Sequence, residues 1–165
     1  MEKLHSPWRS KYIESFYESD KDANHCIFCE ALNSKNDEKY LIVTRSKLSF
    51  AIMNIYPYNS GHLMIVPNRH IPSIIDLTDD ELLDSMILIK RIMKALTETS
   101  HPEGFNIGSN IGRIAGAGID QHVHFHVVPR WNGDTNFMPV IADTKIVSED
   151  IKNLWFKLNN CLKQS

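Results

Sequence analysis

The stretch Gln121-His122-Val123-His124-Phe125-His126-Val127-Val128-Pro129-Arg130 holds three of the chain's eight histidines. Histidine alternates in it with apolar residues, and this period of two predicts a β-strand with one face buried. The three imidazoles would project from one side, while Val123, Phe125 and Val127 pack into a core. Residues on the same side of a strand are roughly 6.5–7 Å apart, a spacing that suits three side chains lining one elongated ligand. We expect an anionic or metallic group above this face.

The rest of the chain has the composition of an ordinary globular domain. Its 165 residues are 42% hydrophobic and 23% charged, enough for one domain with its own core. The formal net charge of −2 argues against a nucleic-acid partner, which normally requires a basic surplus. No apolar run reaches membrane-spanning length, and no secretory hydrophobic region begins the chain. Three cysteines fit a reducing compartment. We therefore predict a cytoplasmic protein without a nucleic-acid or membrane partner.

Short apolar segments predict four further strands. Residues 40–43 and 48–53 are separated by a short polar turn, which indicates a hairpin. Residues 56–61 have turn chemistry, and residues 62–67 return as a third strand. A fourth strand is predicted at 105–108. The polar residues 33–39 are predicted to form a loop.

Two helices are predicted in the second half of the chain. Thr78-Asp79-Asp80-Glu81 has the pattern of a capping box, with the threonine hydroxyl at the N-cap and Glu81 at the third helical position. The apolar residues that follow predict a long helix over 79–99, and we interpret this stripe as core: Leu82, Leu83, Met86, Ile87, Ile92, Met93 and Leu96. Ser148, Glu149 and Asp150 are predicted to cap a last amphipathic helix.

These elements predict an α+β fold. It comprises an antiparallel sheet of about five strands, with the long helix packed on it and a C-terminal helix. We predict one domain over 1–165, in which 1–25 form an N-terminal arm and 140–165 a C-terminal tail and helix.

Two chemistries compete for the histidine strand. In the first, His-x-His pairs chelate zinc, and an open position on the metal activates water. In the second, one histidine attacks phosphorus and forms a covalent intermediate that a second nucleophile resolves. The glycine-rich loop 112–118 favours phosphorus, because its backbone N–H groups, with Ser109 and Asn110, can hold phosphate oxygens. Arg113 adds a charge that can pair with phosphate.

The pattern His122-Val123-His124-Phe125-His126-Val127-Val128 resembles the signature of the histidine triad (HIT) superfamily of nucleotide hydrolases and transferases. Residues 50–67 are similar to the family's N-terminal half-site, and residues 104–110 are similar to its substrate strand. Val128-Pro129-Arg130-Trp131, with the residues up to Pro139, resembles the branch that acts on diadenosine tetraphosphate, phosphorylases included. The resemblance covers residues 26 to about 140.

The resemblance implies catalytic roles for the triad. His124 is expected to attack the α-phosphorus and to carry the nucleotidyl group. The carbonyl of His122 would accept a hydrogen bond from Nδ1–H of His124, which leaves Nε2 to attack. His126 would contact phosphate near the scissile oxygen and help to protonate the leaving group. The expected enzyme cleaves a phosphoanhydride of dinucleoside polyphosphates, with phosphate or water as the acceptor.

The resemblance also implies a substrate-binding set. Asn110 would contact the α-phosphate, although the loop is one residue longer here, and Asn54 and His62 would lie near the ribose and phosphate. With the glycine-rich loop, the predicted set is Asn54, His62, Asn110, Arg113, Gly116 and Gly118. The family further implies a homodimer and no organic cofactor. A nucleoside phosphoramidase, a zinc hydrolase with its metal on the triad and a non-catalytic nucleotide-binding module are the alternatives.

Cys26-x-x-Cys29 supplies half of a tetrahedral zinc site. The motif alone also fits redox chemistry or a buried cysteine pair, and the redox reading needs a thioredoxin-like βαβ context that is not predicted here. Several HIT branches complete the site with a histidine after the third strand and with the first triad histidine. These positions are His70 and His122, so the resemblance implies a closed, structural Cys₂His₂ zinc site.

Overall fold

Five antiparallel strands form one sheet in the computed structural model, which describes residues 26–134 and 150–164. Their order across the sheet is β1-β2-β3-β5-β4. The strands are β1 Ile42–Arg45, β2 Ser49–Met53, β3 Leu63–Pro67, β4 Gly104–Gly108 and β5 Phe125–Arg130. The helices of the described residues are α1 Ile27–Asn33, α2 Asp37–Tyr40, α3 Asp79–Ser100 and α4 Ile151–Gln164. The predicted α+β class is confirmed, whereas the predicted arm 1–25 and residues 140–149 lie outside the described ranges.

The two faces of the sheet carry separate apolar clusters, because alternate side chains of each strand point to opposite sides. The larger cluster joins the sheet to α3 and α4 and includes Val123, Phe125, Val127, Leu88, Ile92, Leu154 and Leu158. The smaller cluster lies on the other face and contains Phe28, Ala31, Ile42, Phe50, Ile52, Met64 and Val66. His126 pairs with Met64 across β5 and β3. The triad histidines therefore lie on the face of the smaller cluster.

Helix α3 begins with the predicted capping box. The Thr78 side chain accepts from the Glu81 N–H at 3.3 Å, and the Glu81 carboxylate accepts from the Thr78 N–H at 2.8 Å. The predicted core stripe is partly wrong, because Leu83, Met86 and Ile87 are exposed. The buried face consists of Glu81, Ser85, Leu88, Ile89, Ile92, Ala95 and Leu96. Apolar residues lie on more than one face of the first turns of α3. Periodicity alone therefore did not identify which face packs against the sheet.

Glu81 also pairs with Arg69, which precedes His70 in the chain. Arg69 Nε and Nη2 donate to the two carboxylate oxygens at 2.9 and 2.7 Å. The hydrogen bond from Arg69 lowers the pKa of Glu81 to about 2, against the opposing effect of burial. This pair and the capping box fasten the turn after β3 to the start of α3.

Removing the Glu81 carboxylate is expected to destabilise the fold. We expect Glu81→Ala to lower the free energy of unfolding by about 2 kcal/mol, because it removes a cap and an ion pair. Glu81→Gln should cost about half as much, since glutamine preserves the capping box and solvent screens half-exposed Arg69. The pKa of Glu81 is lower in the folded state. The charge therefore stabilises the fold above pH 4.5, and this contribution is lost as the pH falls towards 2. Urea titrations at pH 7 and pH 3 test this, and wild-type stability in both variants at pH 7 would contradict it.

Several boundaries differ from the predictions. Helix α1, which follows Cys26, was not predicted. The loop predicted over 33–39 was partly wrong, because α2 begins at Asp37, where the Asn36 side chain accepts from the Lys39 N–H. Leu41 then adopts a left-handed conformation with φ 57°, so β1 begins two residues later than predicted. The ladder of β5 begins at Phe125, and His122 and His124 precede it.

The last helix agrees with the prediction where the structure describes it. Asp150 Oδ1 accepts from the N–H groups of Lys152 and Asn153, both at 3.0 Å, and so caps α4. Ser148 and Glu149 lie outside the described residues. Across residues 26–134 and 150–164, no helix is both long and apolar enough to span a membrane.

Candidate active site

A row of aromatic rings crosses the face of the smaller cluster. Successive ring centroids are separated by 5.1 Å (His70 to His122), 5.5 Å (His122 to Phe28), 5.1 Å (Phe28 to His124), 4.9 Å (His124 to His126) and 5.0 Å (His126 to His62). The three triad histidines thus have different neighbours. The groups around each imidazole determine which of its nitrogens carries the proton.

His122 is fully buried and faces two cysteines. Its Nε2–H donates to the Pro67 carbonyl at 2.8 Å, which leaves Nδ1 as an acceptor. That atom lies 3.3 Å from Cys26 Sγ and 3.7 Å from Cys29 Sγ. Burial lowers the pKa of His122 to about 4. The imidazole is therefore neutral near pH 7, which is the form that binds metals.

The predicted metal ligands form one cluster in the structure. The ligand atoms of Cys26, Cys29, His70 and His122 all lie within 4.8 Å of one another, and Cys29 Sγ is 3.3 Å from His70 Nδ1. Tetrahedral zinc with ordinary bond lengths holds sulfur and nitrogen ligands about 3.5 Å apart, so these contacts fit such an ion. Burial, with the hydrogen bond and charge of Cys26, raises the pKa of the Cys29 thiol to about 11. Metal binding at this cluster would therefore release protons.

His124 is buried and has one ring nitrogen occupied. Its Nδ1–H donates to the His122 carbonyl at 2.9 Å, so Nε2 carries a lone pair. Ser109 Oγ donates to the His124 carbonyl at 2.7 Å and fixes the backbone from the other side. Burial lowers the pKa of His124, and the hydrogen bond to His122 offsets part of this effect. A neutral imidazole with a bare Nε2 is a competent nucleophile at physiological pH.

His126 receives a hydrogen bond from His62. The Tyr58 N–H donates to His62 Nδ1 at 3.1 Å, and Asn54 Nδ2 lies 3.3 Å from the same atom. Because His62 Nδ1 accepts, its Nε2–H donates to His126 Nδ1 at 2.9 Å. Because His126 Nδ1 accepts this hydrogen bond, the proton of His126 lies on Nε2. The network therefore makes His126 Nε2 a proton donor and His124 Nε2 an acceptor.

The glycine-rich loop brings together some of the predicted phosphate ligands. Asn110 Nδ2 donates to the Gly116 carbonyl at 3.4 Å, and a short 3₁₀ turn, Arg113–Ala115, lies between them. Arg113 Nε pairs with Asp120 at 2.8 Å, so it would have to exchange this partner to bind phosphate. Gly118 is exposed at the end of the loop.

The triad does not form a chelating group. Among the described residues, the cluster with metal-ligand geometry contains the two cysteines, His70 and His122, but neither His124 nor His126. The hydrogen bonds of His124 Nδ1 and His126 Nδ1 occupy those atoms. Within the described residues, the metal-ligand geometry therefore lies at the cysteine cluster and not at His124 and His126.

Several supporting residues were not predicted. Phe28 packs against His122 and His124, and the Tyr58 N–H sets the tautomer of His62. Asp134 accepts from Arg130 Nε at 2.6 Å and from Asn59 Nδ2 at 2.8 Å, which ties the end of β5 to the turn before β3. No local pattern marks these contacts. Asp134 belongs to the segment 132–134, which contributed to the resemblance to one branch of the family. That resemblance did not predict the contacts of Asp134.

Comparisons with known proteins agree with this geometry. A family model described as "HIT domain" matches residues 35–133. An AP-4-A phosphorylase of Mycobacterium tuberculosis is 37% identical over 157 residues, which cover 93% of this chain and 80% of that protein. An adenosine 5′-monophosphoramidase of Schizosaccharomyces pombe is 32% identical, with 84% and 98% covered. A Zn-bound histidine triad family protein from Mycobacterium smegmatis superposes with a TM-score of 0.68 at 26% identity and covers 84% of this chain and 94% of that chain.

Proposed function

The chain belongs to the histidine triad family, and from this membership we propose that it is a nucleotidyl-transfer enzyme acting on dinucleoside polyphosphates such as diadenosine tetraphosphate. The observation that carries the proposal is the state of His124, whose Nδ1–H donates to the His122 carbonyl while Nε2 is bare. The substrate class rests on the 37% identity to an AP-4-A phosphorylase over 93% of the chain.

In the first step, Nε2 of His124 attacks the α-phosphorus of the substrate. A P–N bond forms while the bond from phosphorus to the bridging oxygen breaks. His126 transfers its Nε2 proton to that oxygen, so that ATP leaves from diadenosine tetraphosphate. The adduct carries a positive charge on the imidazole ring, and the His122 carbonyl, 2.9 Å from Nδ1, stabilises this charge through its hydrogen bond.

In the second step, an acceptor oxygen attacks the same phosphorus and breaks the P–N bond. His126 now lacks its Nε2 proton and takes one from the acceptor. Inorganic phosphate as the acceptor yields ADP, and water yields AMP. A neutral imidazole suits both steps, because it approaches an anionic phosphate without charge repulsion and departs as a good leaving group.

The acceptor is tested by incubating the protein with diadenosine tetraphosphate, with and without inorganic phosphate. ADP that forms only with phosphate supports a phosphorylase, and AMP plus ATP in either buffer supports a hydrolase. Nucleotide products are separated by anion-exchange chromatography. An absence of turnover in both buffers would refute the proposed substrate class.

A phosphoramidase is the second candidate, because the Schizosaccharomyces pombe relative with that activity is 32% identical over 84% of this chain. The same His124 and His126 chemistry would release ammonia in place of ATP. Comparing kcat/KM for adenosine 5′-phosphoramidate and diadenosine tetraphosphate decides between them. A preference for the phosphoramidate would reverse our assignment.

We also propose that the cluster of cysteines and histidines binds structural zinc through Cys26, Cys29, His70 and His122. The support is the fit of the sulfur–nitrogen distances to a tetrahedral ion. Four protein ligands leave no open position, so a bound zinc would cross-link α1, the turn after β3 and the chain before β5. It would not activate water.

Elemental analysis of protein purified without chelators should give about one zinc per chain. Cys29→Ser is expected to lose most of the zinc and to melt at a lower temperature, because metal-binding energy at such sites is folding energy. Cys161→Ser is the matched control, since Cys161 packs on the larger cluster and its thiol donates to Glu98. The assignment fails if Cys29→Ser retains the zinc content of the control.

We propose that the protein forms a homodimer and that it is cytoplasmic. The family resemblance supports a homodimer, and the cysteine content supports a reducing, cytoplasmic location. Light scattering of the purified protein measures the first. A mass that corresponds to one chain at micromolar concentration would contradict the dimer.

A further inference from the structure

The turn between β2 and β3 is held by side chains at several points. Asn54 Oδ1 accepts from the Tyr56 N–H at 2.9 Å, and His62 Nδ1 accepts from the Tyr58 N–H at 3.1 Å. Asn59 is buried, and its Nδ2 donates to the Pro129 carbonyl at 3.0 Å and to Asp134 at 2.8 Å. These hydrogen bonds fix the backbone of the turn before any substrate binds.

Gly61 lies at the end of the same turn and restricts its conformation. It adopts φ +74°, and a Cβ at this position would lie 3.1 Å from Pro129 Cγ and 3.2 Å from Leu96 Cδ2. Only glycine combines this conformation with so close an approach. The turn is therefore packed against β5 and α3, and it is not a loop that adjusts freely.

This fixed turn presents large apolar side chains to solvent. Ile55 is 61% exposed, Tyr56 44% and Tyr58 42%. Adjacent exposed apolar groups beside a site point to a ligand. A tyrosine on a rigid backbone makes a good contact surface, because it offers a large area and loses little conformational entropy on binding.

The Tyr58 ring lies beside His126, the proposed acid for the leaving group, and beside His62, which donates to His126. Its centroid is 4.5 Å from that of His62 and 5.6 Å from that of His126. Phe28, by contrast, contacts His122 and His124 at the other end of the ring row. A substrate whose phosphorus faces His124 and whose bridging oxygen faces His126 would direct its leaving half towards Tyr58.

We propose that Tyr58 forms a subsite for the leaving nucleoside of a dinucleoside polyphosphate, by stacking against its base. This subsite rests on the proposed function. It adds recognition of the leaving nucleoside to recognition of the transferred nucleotide. Nucleobases stack on tyrosine with little regard to sequence, and loss of such a contact lowers affinity by about tenfold or more. The subsite would give the enzyme a preference for substrates capped by a nucleoside at both ends.

The test compares diadenosine tetraphosphate with adenosine 5′-tetraphosphate. The two share the transferred adenylyl group and the four-phosphate chain, and only the first has a leaving group that ends in adenosine. For the wild-type protein we expect kcat/KM to favour the dinucleotide. Tyr58→Ala should lower the ratio of kcat/KM for the dinucleotide to kcat/KM for the mononucleotide by about tenfold. Tyr58→Trp, which preserves a stacking surface, should retain the preference.

The matched control is Phe156→Ala. Phe156 is 47% exposed and lies on α4, which packs on the opposite face of the sheet. The control should leave both substrates unchanged. Equal losses on both substrates in Tyr58→Ala would overturn the subsite and leave Tyr58 as a support for His62 and His126. A wild-type enzyme without preference for the dinucleotide would overturn it as well. Failure to turn over either substrate would instead refute the proposed function, and the subsite with it.

Discussion

Replacing His124 with alanine is expected to lower kcat/KM for diadenosine tetraphosphate by about 10⁴-fold or more, because the variant lacks the nucleophile on which both steps depend. His124 is the triad histidine whose Nδ1–H donates to a backbone carbonyl while Nε2 is left bare. The residual rate would come from binding and from polarisation of the phosphate. Steady-state kinetics with product separation measure the effect.

Two controls separate lost chemistry from lost structure. The melting temperature and the affinity for a non-cleavable analogue should stay close to wild-type values, since alanine at this position preserves the backbone bond from Ser109 Oγ to the His124 carbonyl. In His124→Gly, added imidazole should restore part of the turnover by occupying the vacated space. Wild-type turnover in His124→Ala would rule out a covalent role for this residue.

The second large effect is expected at His126. His126→Ala should lower kcat/KM for diadenosine tetraphosphate by about 10²- to 10³-fold, which is the usual contribution of a general acid. The reason is that the His62 Nε2–H bond to His126 Nδ1, 2.9 Å long, leaves the proton of His126 on Nε2. The loss should be much smaller for an adenylyl ester of a nitrophenol, whose leaving group needs no proton. An equal loss on both substrates would contradict the acid role.

A double-mutant cycle tests the link from His62 to His126. His62→Phe removes the donor, so its effect should depend on His126 being present. We expect the double variant His62→Phe/His126→Ala to be about as slow as His126→Ala alone. Losses that multiply would show that the two imidazoles act independently.

The alternation of histidine with apolar residues was sufficient to predict which side chains of residues 122–127 face the larger cluster. Val123, Phe125 and Val127 lie in the larger cluster, as predicted. The capping box at Thr78 was also predicted correctly, because both partners lie within one turn. Such local patterns predict an element reliably when its partners are near in sequence.

Contacts between distant residues could not be predicted from such patterns. Cys26 and His122 are 96 residues apart, and only the family resemblance connected them. The bond from Asn59 to Asp134 spans 75 residues and leaves no trace in periodicity, because it depends on how two loops meet. The Tyr58 N–H bond to His62 is local, but it depends on the conformation of the turn, which periodicity does not describe. The exposed apolar residues of α3 were wrongly predicted to be buried for the same reason. The residues that cover one face of a helix lie elsewhere in the chain.

The covalent intermediate can be tested directly by quenching the wild-type protein during turnover and analysing it by mass spectrometry. Diadenosine tetraphosphate should add one adenylyl group per reacting chain. Peptide mapping should place that group on His124 through a bond that acid cleaves and alkali preserves. The acceptor should remove it before the quench, as ADP if the acceptor is inorganic phosphate and as AMP if it is water. Steady turnover without an adduct, or an adduct on a residue other than His124, would contradict the proposed mechanism.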